Sequence, residues 1–71
     1  MKKCIVVKTN LLRNQKFYKI HKTQDSWSID KAKAHRFASK RTAEKIAAAK
    51  NSQMSECWKL IIEYGVEVVN E

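Results

Sequence analysis

The first hydrophobic run of the chain is continuous rather than alternating. It reads CIVV at residues 4–7, and three of its four residues are β-branched. Such side chains favour extended backbone, and a run without polar interruption is typical of a strand that is covered on both faces or lies centrally in a sheet. We therefore predict a first strand over about residues 3–9.

The next segment predicts a hairpin. Residues 9–16 read TNLLRNQK, in which Asn10 and Asn14 tolerate turn conformations. Residues 16–22 then read KFYKIHK, and successive side chains of a strand here would point to opposite faces. Because the chain has no proline and one glycine, its turns must be formed by Asn, Asp, Gln and Ser.

A short helical turn and then a longer helix are predicted for the middle of the chain. The polar segment TQDSWSID surrounds Trp27, and either Ser28 or Asp30 can cap a helical turn through its side-chain oxygen. Ser39 then precedes KRTAEKIAAAKN, whose apolar residues recur at helical spacing. We place the main helix at about residues 39–51, with small residues facing the sheet. The outward residues would be Lys40, Arg41, Glu44 and Lys45.

The last third of the chain permits two interpretations, and the uncertainty falls on residues 53–64. As a strand, CWKLIIEYGVEVV alternates without interruption for a dozen residues. As a helix ending at Gly65, a stripe of Met, Cys, Trp and Ile residues also forms. The β-branched and aromatic content favours the strand. Since roughly 12 residues would span about 40 Å, this strand should bend at Gly65 or pair its end with another chain.

These elements predict a single α+β domain over residues 1–71. The sheet has three strands in mainly antiparallel arrangement, with one helix packed on one face in the order ββαβ. A chain of 71 residues is near the size where folding buries only about 60% of the unfolded surface. We therefore expect a homodimer, in which a second sheet edge covers the exposed apolar VEVV of the terminal strand.

Charge is distributed unevenly along the chain. Residues 1–50 carry 14 Lys or Arg and three acidic residues, a net +11, whereas residues 51–71 carry one Lys and four Glu, a net −3. The resulting +8 favours a polyanion or an acidic protein surface as partner. The other interpretation is that the lysines form a coat that keeps the protein soluble.

The segment WSIDKAKAHRFASKRTAEK, residues 27–45, holds six cations and two acidic residues. Its spacing W-S-x-D, then A, F, S and A resembles a pattern in small phage-encoded ββαβ proteins, and the resemblance covers roughly residues 17–69. Its residues here are Trp27, Ser28, Asp30, Ala34, Phe37, Ser39 and Ala43. Trp27 and Phe37 would fold the turn onto the sheet, and the alanines would permit close approach.

The resemblance implies a cytoplasmic anti-defence protein. Small early phage proteins often disable restriction enzymes, nucleic-acid-guided defence complexes or toxin endoribonucleases, and some are antitoxin-like inhibitors. Many similar proteins are acidic after the serine, whereas this chain has Lys40 and Arg41. Positive charge suits an inhibitor that binds RNA rather than one that mimics it.

We expect the cations of the segment to form one face that binds successive phosphates of a nucleic acid, RNA in preference to DNA. Tyr18 or Phe17 could stack on bases between Lys16 and Lys19, whereas Trp27, Phe37 and Trp58 are assigned to the core. The predicted binding residues are Lys31, Lys33, Arg36, Lys40, Arg41, Lys45 and Lys19. The alternative is a protein inhibitor whose basic face docks on an acidic host protein without nucleic acid.

Catalysis and metal binding are less favoured. His21 and His35 could act as an acid and a base in RNA cleavage, and with Cys4 and Cys57 they could ligate zinc, yet no CxxC-like spacing is present. Two reduced, buried thiols on neighbouring strands are the preferred interpretation. Gly65 is alone, so no phosphate-binding glycine loop is expected. We predict a protein that is not an enzyme and needs no cofactor, signal peptide or membrane span.

Overall fold

The computed structural model describes residues 2–70 and confirms an α+β fold with an antiparallel sheet and one main helix packed on it. The sheet has four strands in the order β3-β2-β1-β4, so the predicted three strands are joined by a two-residue fourth. The elements are β1 (Lys2–Asn10), β2 (Gln15–Lys19), β3 (Trp27–Ser28), a 3₁₀ turn (Lys31–Lys33), α1 (Lys40–Gln53), α2 (Glu56–Lys59) and β4 (Ile62–Asn70).

Strand β1 lies in the middle of the sheet and is covered on both faces, as its unbroken hydrophobic run predicts. Ile5 and Val6 are both 0% exposed. On one face, Cys4 and Val6 pack with Phe37 and two alanines of α1. On the other face, Ile5 and Val7 pack with Ala34, which follows the 3₁₀ turn. The core is therefore two thin layers that share one strand.

The hairpin between β1 and β2 turns on asparagine, as predicted. The side-chain oxygen of Asn10 accepts hydrogen bonds from the backbone N–H groups of Leu12 (3.1 Å) and Arg13 (3.2 Å). Asn14 adopts the left-handed conformation at φ 51°, which asparagine tolerates better than most residues. These two asparagines supply the chain reversal that glycine would otherwise provide.

Of the two residues predicted as alternative caps of the short helical turn, Asp30 is the one that caps it, and Ser39 caps the main helix. The Asp30 side chain accepts a hydrogen bond from the N–H of Ala32 at the start of the 3₁₀ turn. Ser39 caps α1 by accepting from the N–H of Thr42 at 3.3 Å. Helix α1 then presents Ala43 and Ala47 to the sheet, and these small side chains allow the helix to lie close to β1.

Between the two caps, the chain crosses from one face of the sheet to the other. The N–H of Cys4 donates to the carbonyl of Phe37 at 2.9 Å, and the N–H of Phe37 donates to the carbonyl of Cys4 at 2.7 Å. Phe37 therefore extends the sheet beside β1, beyond the end of β2. The 3₁₀ turn before it lies on one face, and α1 after it lies on the other.

The prediction of a twelve-residue terminal strand is wrong. Residues 56–59 form the short helix α2, and β4 begins only at Ile62. The ladder between β1 and β4 ends at the pair Asn10–Ile62, and after one further backbone hydrogen bond, from the N–H of Leu11 to the carbonyl of Ile61, the chain turns away. Gly65 lies within the ladder opposite Val7, and the pairing register continues through it.

Candidate nucleic-acid interface

The first half of α1 carries an exposed basic surface. Arg41 and Lys45 are one helical turn apart, and both are exposed, on the side of α1 away from the sheet. Lys40 is exposed as well, but it lies with Glu44 on the side of α1 that faces β4, where the two line one depression with Gly65 and Val66. The cations on the outer side of the helix are therefore Arg41 and Lys45.

A depression of about 340 Å³ lies at the start of α1, and we call it the α1 cleft. None of the residues between 2 and 70 that line it is acidic. Ser39 and Thr42 contribute hydroxyl groups beside the positive end of the helix dipole. The lining residues are Lys22, His35, Arg36, Phe37, Ala38, Ser39 and Thr42. The cleft is thus a concave site that favours anions over cations.

His35 is held in the α1 cleft by backbone and ring contacts. Its backbone N–H donates to the carbonyl of Lys19 at 2.9 Å, and its ring and the ring of Phe37 pack in a T-shaped arrangement with centroids 4.6 Å apart. Burial lowers the pKa of His35 below its ordinary value of 6.5, and the positive charges of Lys22, His21 and Lys19 lower it further. A bound anion would offset those charges and favour the protonated ring.

Arg36 braces the crossing segment while it lines the cleft. Its Nη1 donates to the carbonyl of Ala34 at 2.6 Å and to that of Lys31 at 3.1 Å. These two bonds hold the Nη1 atom of the guanidinium group against the 3₁₀ turn. Arg36 therefore combines a structural role with a position in the cleft.

The predicted single face of six cations is wrong, because the chain crosses the sheet at Phe37. Lys31 lies on the face opposite α1, where Glu67 bonds both Lys31 and Lys16 at 3.2 Å. Burial alone would raise the pKa of Glu67, but the hydrogen bonds from Lys31 and Lys16 outweigh it and leave that pKa lowered. Lys33 is exposed in the 3₁₀ turn and does not line the α1 cleft.

Lys19 is not available to a phosphate in this structure. Its side chain is 3% exposed, and its Nζ donates to the carbonyl of Gln24 at 2.7 Å. The ammonium group also lies 5.8 Å from the ring centre of Trp27. Burial lowers the pKa of Lys19, and nearby Lys50 adds to this while Asp25 opposes it. The alternation of β2 places Lys19 on the face that α1 covers.

The aromatic residues do not form a stacking platform in the predicted place. Tyr18 and Phe17 are both half-buried, and Tyr18 packs on the core layer of Ile5 and Val7. Trp27 packs on the other layer, as expected, with Lys8 Nζ 4.8 Å from its ring centre. Trp58, which the sequence assigned to the core, is 58% exposed on α2.

The structure gives no support to the zinc interpretation. Among residues 2–70, no group of three or more His, Cys, Asp or Glu is placed to hold a metal ion. Cys4 is buried on β1, but Cys57 is exposed on α2, so the prediction of two buried thiols is wrong for Cys57. The Nδ1 atom of His21 accepts from the N–H groups of Thr23 and Gln24, which orders the loop after β2.

Lys22 is a residue of the α1 cleft that the sequence did not reveal. It follows a strand pattern in KFYKIHK, which suggested an ordinary hairpin face. In the structure β2 ends at Lys19, and Lys22 lies in the following loop, beside residues 35–42. The hydrogen bond from the backbone N–H of His35 to the carbonyl of Lys19 holds the start of this loop beside the crossing segment, and the ion pair between Asp25 and Lys50 (3.0 Å) holds its end beside α1.

Comparisons with protein families, with curated proteins and with solved structures found no match for this chain. Over residues 2–70, no helix combines the length and the apolar character needed to cross a membrane.

Proposed function

We propose that the chain binds nucleic acid through the α1 cleft and the adjacent outward surface of α1, with RNA preferred over DNA. The observation that carries this proposal is that Lys22 lies in the α1 cleft next to the exposed Arg41 and Lys45, and that none of the described residues lining the cleft is acidic. The net charge of +8 supports it, because a field of that size attracts polyanions over several ångströms.

Binding of this kind has little sequence preference. The proposed contacts are cationic groups that meet phosphates, and phosphate contacts position a protein without reading bases. With about four contacts to a single strand, at about −0.7 per contact, log affinity should fall with log salt with a slope of roughly −3. The preference for RNA rests on the resemblance to phage proteins that act on RNA-dependent defences.

A charge-reversal pair of variants tests the location of the site. The first variant carries Lys22→Glu, Arg41→Glu and Lys45→Glu. The matched control carries Arg13→Glu, Lys33→Glu and Lys59→Glu, which are also exposed residues but do not line the α1 cleft. Both variants change net charge equally, so a difference between them reports location.

Fluorescence anisotropy with a labelled single-stranded RNA at 0.1 M salt gives the readout. Losing three contacts should weaken binding about 100-fold, since each contributes about 0.7 decade at that salt concentration. The control should lose far less, and circular dichroism should confirm that both variants fold. Equal losses in the two variants would show that the charge acts as a diffuse coat.

We further propose that this binding serves a phage-type protein in the host cytoplasm that counteracts a defence nuclease or a toxin. The support is the W-S-x-D pattern of residues 27–43 together with the basic surface. The competing function is an inhibitor that docks on an acidic host protein without nucleic acid. A complex purified from host extract should dissociate after complete digestion of RNA and DNA, and its survival would favour the competing function.

A further inference from the structure

Strand β4 forms a long, open edge of the sheet. It pairs with β1 through all nine of its residues and has no strand on its other side among residues 2–70. The opposite edge of the sheet is the two-residue strand β3. Short edge strands, prolines and bulges normally prevent an edge from pairing with another chain. β4 has no proline and no break in its register with β1.

The backbone groups that face this edge belong to the even-numbered residues of β4. Just past the end of β1, the N–H of Leu11 donates to the carbonyl of Ile61. Because hydrogen-bonded residues alternate along an antiparallel pair, the backbone groups of the odd-numbered residues of β4 face β1. Cys4 bonds Phe37 on the side away from β4, which leaves its partner Val68 facing outward. The outward groups are therefore those of Ile62, Tyr64, Val66, Val68 and Asn70.

Asn51 covers one part of the edge and leaves the rest open. Its Nδ2 donates to the carbonyl of Tyr64 at 3.0 Å, and its Oδ1 accepts from the N–H of Tyr64 at 3.1 Å. Within residues 2–70, no comparable side chain bonds the outward groups of Val66 or Val68. Val68 is also 49% exposed, although it belongs to a strand of the sheet.

We propose that residues 66–70 of β4 pair antiparallel with the same residues of a second copy of the chain, with Val68 on the two-fold axis. Val68 then lies opposite Val68 of the second copy, and Val66 lies opposite Asn70. A two-fold axis normal to the sheet brings the same surface of each copy together and makes the two sheets continuous. The assembly is a homodimer with an eight-stranded sheet.

The register follows from backbone hydrogen bonds and charge. Centring the pair on Val66 would require the backbone groups of Tyr64, which Asn51 already occupies. Centring it on Glu67 would place two like charges directly opposite each other, which destabilises a strand pair. With Val68 at the centre, Glu67 lies opposite Val69 of the second copy. Asn51 thus limits the pairing to five residues.

Helix α1 contributes charge complementarity to the same interface. It lies over β1 and β4, and strands are about 4.8 Å apart, so the helices of two copies would lie about 10 Å apart, a normal helix packing distance. Nine helical residues and four strand residues both span roughly 13 Å. Asn51 bonds the backbone of Tyr64, and Phe37, just before α1, bonds Cys4, the partner of Val68, so α1 and β4 run in opposite directions. Counting nine residues back from Asn51 therefore brings Thr42 to about the level of Val68.

The level of Thr42 determines which helical residues meet across the axis. Lys40 and Glu44 flank that level and lie on the side of α1 that faces the β4 edge. The antiparallel helices of the dimer therefore place Lys40 of each copy near Glu44 of the other. These two opposite-charge pairs favour a second copy of this chain over an unrelated acidic or basic strand as the occupant.

Disulfide trapping tests the register. In a Cys57→Ser background, Val68→Cys should form a covalent dimer under mild oxidation, because opposite residues of a hydrogen-bonded antiparallel pair have Cα atoms about 5.5 Å apart, within disulfide range. Leu60→Cys is the matched control, since Leu60 is 78% exposed and lies outside β4. Cross-linking through Leu60→Cys but not Val68→Cys would overturn the proposal.

A measurement of the molecular mass and an exchange of charged residues both test the interface without cross-links. Light scattering at 100 µM should give about twice the chain mass of 8.3 kDa, and Val68→Lys should give the monomer mass with an unchanged circular-dichroism spectrum. Lys40→Glu should weaken dimerisation, and the double exchange Lys40→Glu with Glu44→Lys should restore it. A monomeric wild type, or a Val68→Lys variant that stays dimeric, would contradict this interface.

Discussion

The backbones of Cys4 and Phe37 exchange two hydrogen bonds, although the residues lie 33 positions apart in the sequence. This pair fixes the point at which the chain passes from one face of the sheet to the other. It also seats the Phe37 ring between β1 and the alanines of α1. The position of the α1 cleft, and the separation of Lys31 from Lys45, both follow from this contact.

The different exposures of Phe37 and Trp58 predict a large loss of unfolding free energy on truncation of Phe37 and a small loss on truncation of Trp58. Phe37 is 4% exposed, so Phe37→Ala should cost about 3–5 kcal/mol of unfolding free energy by removing core contacts and leaving a cavity. Trp58 is 58% exposed, so Trp58→Ala should cost less than about 0.5 kcal/mol. Urea denaturation measures both, and a Trp58→Ala loss as large as that of Phe37→Ala would restore the sequence-based core assignment of Trp58.

Asn51 should stabilise the fold more than its neighbour on the helix. Asn51→Ala removes two hydrogen bonds to Tyr64 and should lower the unfolding free energy by about 1–2 kcal/mol. Ser52→Ala removes one exposed bond to Ala49 and should change it by less than about 0.5 kcal/mol. Equal unfolding midpoints for the two variants in urea would mean that the Asn51 bonds add nothing to stability.

Glu67 predicts a loss of stability in acid. Its pKa is lower in the folded protein than the ordinary 4.5, so its contribution is present above that ordinary value and is lost as pH falls through the lowered folded pKa. Its partners are half exposed, which limits the contribution at pH 7 to about 1 kcal/mol. The stability advantage of wild type over Glu67→Gln should therefore shrink between pH 6 and pH 3.

Melting curves at intervals of half a pH unit give this comparison. Glu56→Gln is the control, because the Glu56 side chain is 93% exposed and lies 3.7 Å from Lys59. It should follow the wild-type curve at every pH. A Glu67→Gln difference that stays constant to pH 3 would contradict the role given to the two lysine bonds.

His35 predicts that nucleic-acid binding takes up a proton. The pKa of His35 lies below 6.5 in the free protein because of burial and neighbouring positive charge, and a phosphate in the α1 cleft should raise it. Affinity should then increase as pH falls from 7 towards 5.5. The folding stability of the free protein depends on pH in the opposite direction. Because the pKa of His35 is lowered on folding, the free energy of unfolding decreases as pH falls below 6.5 towards the pKa of His35 in the folded protein.

Nuclear magnetic resonance titration of the ring protons checks the His35 prediction directly. The midpoint of His35 should move up when single-stranded RNA is added, and the pH dependence of affinity should flatten in His35→Gln. Lys33→Gln is a suitable control, since Lys33 does not line the cleft. A His35 midpoint that does not move on binding would place the nucleic acid elsewhere on the molecule.

Local sequence patterns correctly predicted the turns and the helix start that depend on contacts between residues close in the sequence. Asn10 and Asp30 bond backbone groups two or three residues away, and Ser39 does the same at the start of α1. The continuous run in β1 likewise reflects cover on both faces. The terminal strand was misjudged because alternation continues through Trp58 and Leu60 after the pairing partner has ended.

The candidate site was less predictable than the fold because its geometry depends on long-range contacts. Lys31 and Lys45 belong to one basic segment of the sequence, yet a crossing between them puts them on different faces. Lys19 was predicted to bind phosphate, but strand alternation places it under α1. Residue spacing alone contains no information about a bridge between residues 4 and 37.

The central position of β1 has a consequence for the order of folding. Its partners in β2 lie 5 to 11 positions away, whereas its partners in β4 lie 52 to 68 positions away. A nascent chain can form the hairpin early, but it leaves one edge of β1, with its continuous hydrophobic run, open until residues 62–70 have left the ribosome. Such distant pairing slows folding, and the open strand is prone to intermolecular association in the interval.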